Sequence, residues 1–382
     1  MKFATLAGLL GSATAVVGPA WTYDDTVEKP NGELVLGSAT LAVYDEEQQA
    51  RLGVDATGAK TSEMMAIAMK VNAGNHGWKA CGMASGRFGT LDDVKATLGA
   101  RLRSHPEYVD AKLPIGEEDS IADPATIPDA FDSRTTWGGN CSVVTDVRDQ
   151  SACGSCWAFS ATETFESRRC IAGNGDVQFS PQDTAGCCHA GMSQGCNGGQ
   201  QTAALGWMEK TGVVTGGDFF NKTAKAGGCK PYLLQPCAHH VPASAKYPAC
   251  PSAEYSIQCA AKCSDTASGK TYATDKSKGT KAFSLMKPSG MQTAIMNKGP
   301  LAVSFTVYSD FPTYKSGVYK HTTNQQLGGH AVVMMGWGTE NGTPYWLIKN
   351  SWNEQWGDHG YFKIARGTDE CGIEDDVSGI NF

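Results

Sequence analysis

Cysteine placement is what most constrains this chain. Of its 14 cysteines in 382 residues, only Cys81 precedes Cys141, so a nearly cysteine-free first part is followed by one rich in potential cross-links. Lys2, the uncharged run Phe3–Leu10 and the small residues Ser12, Ala13, Thr14 and Ala15 have the layout of a secretory signal, residues 1–15. Export to an oxidising compartment, lysosome-like, vacuolar or extracellular, makes disulfides the expected state of so many cysteines. The apolar run is too short and too rich in Gly and Ala to span a bilayer, and no other stretch of about 18 apolar residues occurs. No membrane span is expected.

The two parts meet at PIGEEDSIADPAT, residues 114–126. This stretch is acidic, punctuated by proline and without helical period, which predicts an exposed, cleavable linker. Before it, Glu63–Val71 is apolar nearly all round, and Leu91, Val94, Leu98 and Leu102 recur at helical spacing, predicting helices over both stretches. Residues 16–126 read either as a small helical domain or as a removable segment, inhibitory over about 63–113, that covers a site until the linker is cut. In mild acid, protonation of carboxylates such as Glu117, Glu118 and Asp119 would loosen such a segment. The net charge of −7, with no dense basic cluster, argues against a nucleic-acid partner.

The chemistry concentrates in QSACGSCWAFS, residues 150–160. Gly154-Ser155 is turn-like, and the residues from Trp157 onward are good helix formers, so Cys156 falls in a first helical turn, where the dipole favours a thiolate. Gln150 offers an amide that could stabilise an oxyanion together with the Cys156 N–H. Cys153 and Cys156 also fit a thioredoxin-like redox pair or half of a zinc site. A nucleophilic cysteine needs a base, and the base needs an orienting group. His330 opens an apolar run after Gly328-Gly329, Asn350 ends another, and Trp352 and Trp356 could shield a bond between them. Gly198 and Gly199 leave backbone open to an extended peptide. Residues 228–251 cannot form a regular element, and alternating strands begin at Leu301. Helices first and strands later predict an α+β protein with a cleft between the two halves.

QSACGSCW, GCNGG, GGHA and KNSWNEQWGDHGY together resemble the papain family of cysteine peptidases. CKPY…PCAHHV…C and GWGTENGTPYWL resemble its cathepsin B group. The interval from Cys156 to His330 exceeds the roughly 130–150 residues usual between nucleophile and histidine; an insertion is required, and residues 229–263 supply it. The resemblance implies a papain-like mature enzyme over 127–382, with a helical half, an antiparallel sheet or barrel half, and an occluding loop at about 229–263. It implies Cys156 as nucleophile, His330 as general base and acid, Asn350 as orienter and Gln150 as oxyanion donor. Substrate would be held by Gly198, Gly199 and Trp352, with Asp376, where a longer Glu is usual, at the S2 floor. His239 and His240 would capture a substrate's terminal carboxylate, giving dipeptidyl carboxypeptidase beside endopeptidase activity.

The implied disulfides are Cys141–Cys170, Cys153–Cys196, Cys187–Cys259, Cys229–Cys263 and Cys237–Cys250. Met192 stands where the family bridges the position of Cys188, so Cys188 is expected as a thiol. Asp149 preserves the family's ion pair to the first loop histidine. The second loop tether, Lys246 toward Gln355 with Glu354 next door, is expected to be weakened or lost. NHGWKA (75–80) loosely resembles a propeptide element, whereas residues 16–62 match nothing placeable. No cofactor or metal is expected; partners would be peptide and protein substrates, the chain's own propeptide and cystatin-type inhibitors. Asn140, Asn221 and Asn341 head glycosylation sequons. A catalytically silent binding protein would have lost Cys156, His330 or Asn350, and a zinc-binding module would use the Cys and His pairs.

Overall fold

The computed structural model describes residues 26–28, 34–36, 39–41, 63–81, 87–219, 227–239, 243–251 and 256–382. Strands β1 (Thr26–Glu28), β2 (Leu34–Leu36) and β3 (Ala39–Leu41) form a small antiparallel sheet of their own.

Helix α1 (Glu63–Ala73) buries Met64, Ala68 and Val71, one face at helical spacing. Strand β4 (Trp78–Ala80) follows, and then α2 (Leu91–Lys95), whose N-terminus Thr90 caps by accepting from the Asp93 N–H. The leucine spacing suggested a helix to Leu102, but α2 ends at Lys95. Beyond it the backbone N–H of Ala100 donates to Gly329 and that of Arg101 to Gly199. Those partners lie on the main body, and a helix would consume the same donors internally.

The linker departs from expectation in its first half. Ser284 receives Gly116 N–H and donates to Pro114, and a short helix α3 (Glu118–Ile121) buries Glu118 and Asp119. The Asp119 carboxylate accepts from the backbone N–H groups of Met286 (2.7 Å) and Lys287 (3.2 Å), where a negative charge is favoured at the head of the helix that follows. Lys298 Nζ lies 3.1 Å from both Glu117 and Glu118. The run from Ser120 to Ala130 is mostly exposed.

The helical half of the body is built around α4 (Cys156–Ile171), which buries Trp157, Phe159 and Phe165 completely. Each such side chain contributes on the order of 1.5–3 kcal/mol by leaving water. Helix α5 (Pro181–Cys187) starts as its sequence predicts, with Pro181 in the first turn and the Ser180 hydroxyl accepting from Asp183 N–H. Helix α6 (Gln201–Lys210) packs on α4, and α7 (Pro288–Lys298) carries the linker contacts just described.

The sheet half comprises β5 (Phe131–Asp132), β6 (Lys281–Leu285), β7 (Leu301–Tyr308), β8 (Tyr314–Tyr319), β9 (Gln326–Glu340), β10 (Thr343–Lys349), β11 (Tyr361–Ala365) and β12 (Val377–Asn381). Its order is β4-β8-β11-β10-β9-β7-β12-β6, with β5 added on β9. The sheet is open rather than closed into a barrel, and β8 with β11 is a parallel pair in an otherwise antiparallel set. Strand β4 of the N-terminal segment forms one edge against β8, where Trp78 stacks on Tyr314 and meets Tyr319 edge-on. The segment therefore completes both the core and the sheet.

N-terminal sequencing of acid-processed protein should place the new terminus between Ile121 and Phe131. A terminus at or before Asp119 would mean that the docked α3 stretch opens first.

Candidate active site

Cys156 is the first residue of α4, and the turn before it is held from several sides. Tyr232 Oη lies 2.9 Å from Ser155 Oγ and donates to the Gln150 carbonyl at 2.9 Å. Ser351 Oγ donates to Gln150 Oε1 at 2.8 Å, which turns Gln150 Nε2 toward the carbonyls of Cys153 (2.7 Å) and Thr97 (2.8 Å). Cys153 is bonded to Cys196, so it forms no redox pair with Cys156.

His330 sits in β9 opposite Phe305 of β7. Its Nε2 is 2.7 Å from Asn350 Oδ1, which also accepts from Ser351 N–H. The Trp352 ring stacks on the imidazole at 4.6 Å, and Trp356 meets Trp352 edge-on. The other ring nitrogen, Nδ1, is buried without a hydrogen-bond partner among the described residues. Cys156 Sγ instead accepts from the Gly99 N–H at 3.4 Å. Burial pushes the Cys156 thiol up, against backbone N–H groups of Ala331, Gly99, Trp157 and Ala100. Burial also pushes the His330 imidazole down to about 4, against its bond to Asn350. Thiol and imidazole are thus both neutral while covered.

The cover is the stretch 97–101. Gly99 carbonyl accepts from Gly199 N–H (2.8 Å), Arg101 N–H donates to Gly199 carbonyl (2.9 Å), and Ala100 N–H donates to Gly329 carbonyl (3.0 Å). A Cβ on Gly99 would meet the Gly154 carbonyl at 1.7 Å, and one on Gly199 would meet the Trp157 ring at 2.5 Å. Close backbone approach therefore requires glycine at both. Gly198 makes no bond to the stretch; its carbonyl accepts from Gln194 N–H. Farther along, Arg103 Nε reaches 3.9 Å and Tyr108 Oη 3.5 Å from Asp376 Oδ1.

Asp376 is buried and held by Thr202 Oγ1 and Gln201 Nε2, both at 3.0 Å. Burial pushes its carboxyl up, against Thr202, Arg103 and Gln201. Gln201 and Thr202 escaped the sequence reading, although their place just beyond Gly198-Gly199-Gln200 was available as a signal.

A model of the papain family cysteine proteases matches residues 127–380. The chain belongs to that family. Among curated relatives, "Cathepsin B-like cysteine proteinase 4" of Caenorhabditis elegans is 43% identical over 84% of this chain and 92% of its own. "Cathepsin B-like cysteine proteinase" of Schistosoma japonicum is 42% identical over 79% and 85%. Among solved structures, procathepsin B S9 from Trypanosoma congolense is 27% identical, with a TM-score of 0.63 over 89% of this chain and 98% of that one. These matches extend N-terminal to the family domain, so the covering segment of this papain-family protease belongs to a proenzyme architecture.

In this papain-family fold the loop after Gly228 is stapled by Cys229–Cys263 and Cys237–Cys250; Cys141–Cys170, Cys153–Cys196 and Cys187–Cys259 complete the disulfides. The bond between Cys237 and Cys250 takes up two groups of a Cys237–His239–Cys250 cluster that could otherwise hold zinc. Cys188 is a buried thiol, pushed up to about 12 by that burial. His239 Nε2 lies 2.8 Å from Asp149 Oδ1, and Asn353, unremarked in the sequence, donates to Asp149 Oδ2 and the Cys237 carbonyl. The second tether is present, contrary to expectation: Lys246 pairs with Glu354 rather than position 355, and Tyr247 Oη donates to the same carboxylate. The acidic group has moved one residue along a turn and still reaches. His240 lies outside the described residues. Phe88 is also part of the cover, edge-on to Trp352 at 4.9 Å and 5.2 Å from the His239 ring.

Gly99→Ala should loosen the cover, because overpacking of this kind costs about 1–3 kcal/mol, which is about 5- to 150-fold in affinity. The measurement is inhibition of processed enzyme by an isolated 63–113 peptide with and without the change; equal inhibition would contradict the close approach at Gly154.

Proposed function

We propose that the protein is the zymogen of a secretory-pathway peptidase in which Cys156, His330 and Asn350 act as nucleophile, base and orienter. The observation that carries this reading is the 97–101 stretch lying across Cys156 while bonded to Gly199, Gly329 and Gln150. A peptide substrate would use the same backbone groups. With the cover gone, water reaches the pair and the Cys156 proton passes to His330 Nδ1, the nitrogen without a partner. The thiolate adds to the scissile carbonyl, whose oxyanion takes the Gln150 Nε2 donor now given to Thr97. His330 then protonates the leaving amine, and water, deprotonated by His330, hydrolyses the thioester and restores the thiol.

Uncovering does not itself change how many protons the pair holds, because the proton His330 gains is the one Cys156 loses; the covered imidazole, held down to about 4, and the covered thiol, raised by burial, exchange that proton once water enters. The linker pairs Lys298–Glu117 and Lys298–Glu118 hold the segment to α7 until the cover leaves.

Arg103 near Asp376 supports a pocket that accepts a basic P2 side chain. On the other side of the cleft, removal of Phe88 would expose the faces of Trp352 and His239. The proposed role of His239, with His240, is capture of a C-terminal carboxylate, giving dipeptide release. Endopeptidase cleavage requires the loop to lift. The Lys246–Glu354 pair opposes this only weakly, since both side chains are well exposed and such pairs are worth about 0–1 kcal/mol.

The test is a peptide library presented to processed enzyme with free and with amidated C-termini. Amidation, or His239→Ala with His240→Ala, should suppress dipeptide release at least about tenfold while internal cleavage persists, and Cys156→Ala should abolish both. Dipeptide release indifferent to amidation would rule out carboxylate capture.

A further inference from the structure

At the end of the sheet beyond His330, three side chains from two separate segments converge. His321 follows β8, and Glu370 and Cys371 lie in the 3-10 turn Glu370–Gly372 that leads toward β12. His321 Nδ1 is 2.6 Å from Glu370 Oε1, Cys371 Sγ is 3.3 Å from the same oxygen, and Sγ is 3.9 Å from Nδ1. The His321 backbone N–H also donates to Glu370 Oε1, at 2.9 Å. The Tyr308 ring stacks on the imidazole at 4.2 Å and 16°, which fixes the ring plane. Glu370 is largely shielded and His321 about one-third exposed, so the cluster is ordered yet open to solvent on one side.

We propose that His321, Glu370 and Cys371 form a three-ligand site for a borderline divalent cation of the Zn2+ class. Imidazole nitrogen, carboxylate oxygen and thiolate sulfur are all Zn2+ ligands, at about 2.0–2.1, 2.0–2.2 and 2.3 Å from the metal. Tetrahedral coordination at those lengths separates the ligand atoms by about 3.3–3.6 Å. The separations of 2.6, 3.3 and 3.9 Å bracket that range, so each pair of ligand atoms lies within about 1 Å of its tetrahedral spacing. The open side leaves a fourth position for water.

The neighbouring charges favour a cation. Asp369 precedes Glu370 in the chain, and Asp310 lies beside the cluster through its bonds to Thr322, the residue after His321. The Asp310 carboxylate is already taken by Tyr319 Oη and by the backbone and hydroxyl of Thr322, so it contributes field rather than a ligand. A thiol among carboxylates is a poor nucleophile, which weighs against a redox role. Metal binding would exchange the Cys371 proton for the cation, releasing one proton to solvent and leaving a thiolate–metal bond. The cluster shares no residue with Cys156, His330 or Asn350.

The test uses the zymogen carrying Cys156→Ala, so that neither self-cleavage nor the nucleophilic thiol interferes, with Co2+ as a spectroscopic probe and Zn2+ in competition. A thiolate-to-cobalt charge-transfer band should develop with one metal per chain and be displaced by Zn2+. It should vanish in Cys371→Ser, and His321→Ala should weaken binding by more than about tenfold, since even groups that only support a ligand are worth 10–100-fold. Cys81→Ser and Cys188→Ser should leave the band unchanged. Should Cys371→Ser fail to fold, by circular dichroism, the His321→Ala comparison decides alone. A band that survives loss of Cys371 or is indifferent to His321, or no band at large excess of metal, would overturn the proposal.

Discussion

The backbone hydrogen bonds of the 97–101 stretch are the interaction on which the rest depends. An extended strand between Gly199 on the helical side and Gly329 on the sheet side satisfies donors and acceptors on both walls of the cleft. Buried backbone groups left unpaired would each cost about 1–3 kcal/mol. The same strand sets Gly99 over Cys156 and excludes water, so one contact both fills the cleft and neutralises the pair beneath it. The helix ends at Lys95 for this reason: the stretch has to be extended to reach both walls.

The spacing of the cleft walls is itself fixed by buried ion pairs. Lys349, the residue before Asn350, places its Nζ 2.8 Å from Glu163 Oε2 on α4, the helix that begins at Cys156. Both side chains are fully buried. Nearby, Arg148 Nη1 lies 3.6 Å from Glu166 on the same helix, and its Nε lies 2.8 Å from Asp218. Burial pushes the carboxyls of Glu163 and Glu166 up, against the cations beside them. Such pairs add little net stability, yet losing one partner costs about 3–5 kcal/mol. They resist any change in the separation of the strand that carries Asn350 from the helix that carries Cys156.

Much of this was legible from residue order. Cys156 at a helix start, Ser180-Pro181 as a cap, and strands from Leu301 follow from turn chemistry and alternation, and the disulfide pairs came from the family resemblance. What could not be read was decided by distant partners. The spacing of Leu91, Val94, Leu98 and Leu102 is the same whether the chain coils or is drawn straight between Gly199 and Gly329. Glu118 and Asp119 looked like solvated linker charges until Lys298 and the N-terminus of α7 came alongside. The Lys246 tether depended on whether a carboxylate one position away could reach, which is a matter of turn geometry. Gln201, Thr202 and Asn353 are ordinary polar residues whose importance lies in the carboxylates they hold.

The central claim is that the cover keeps Cys156 and His330 neutral and that its removal ionises them. The direct measurement is the pH dependence of Cys156 alkylation by iodoacetamide, followed by mass spectrometry, in the zymogen and in the processed enzyme. The account predicts alkylation of the processed enzyme persisting into mild acid. In the zymogen it predicts a rate at least about a hundredfold slower, rising only at alkaline pH, as for a thiol raised by burial. Equal rates with the same pH profile in both forms would contradict it.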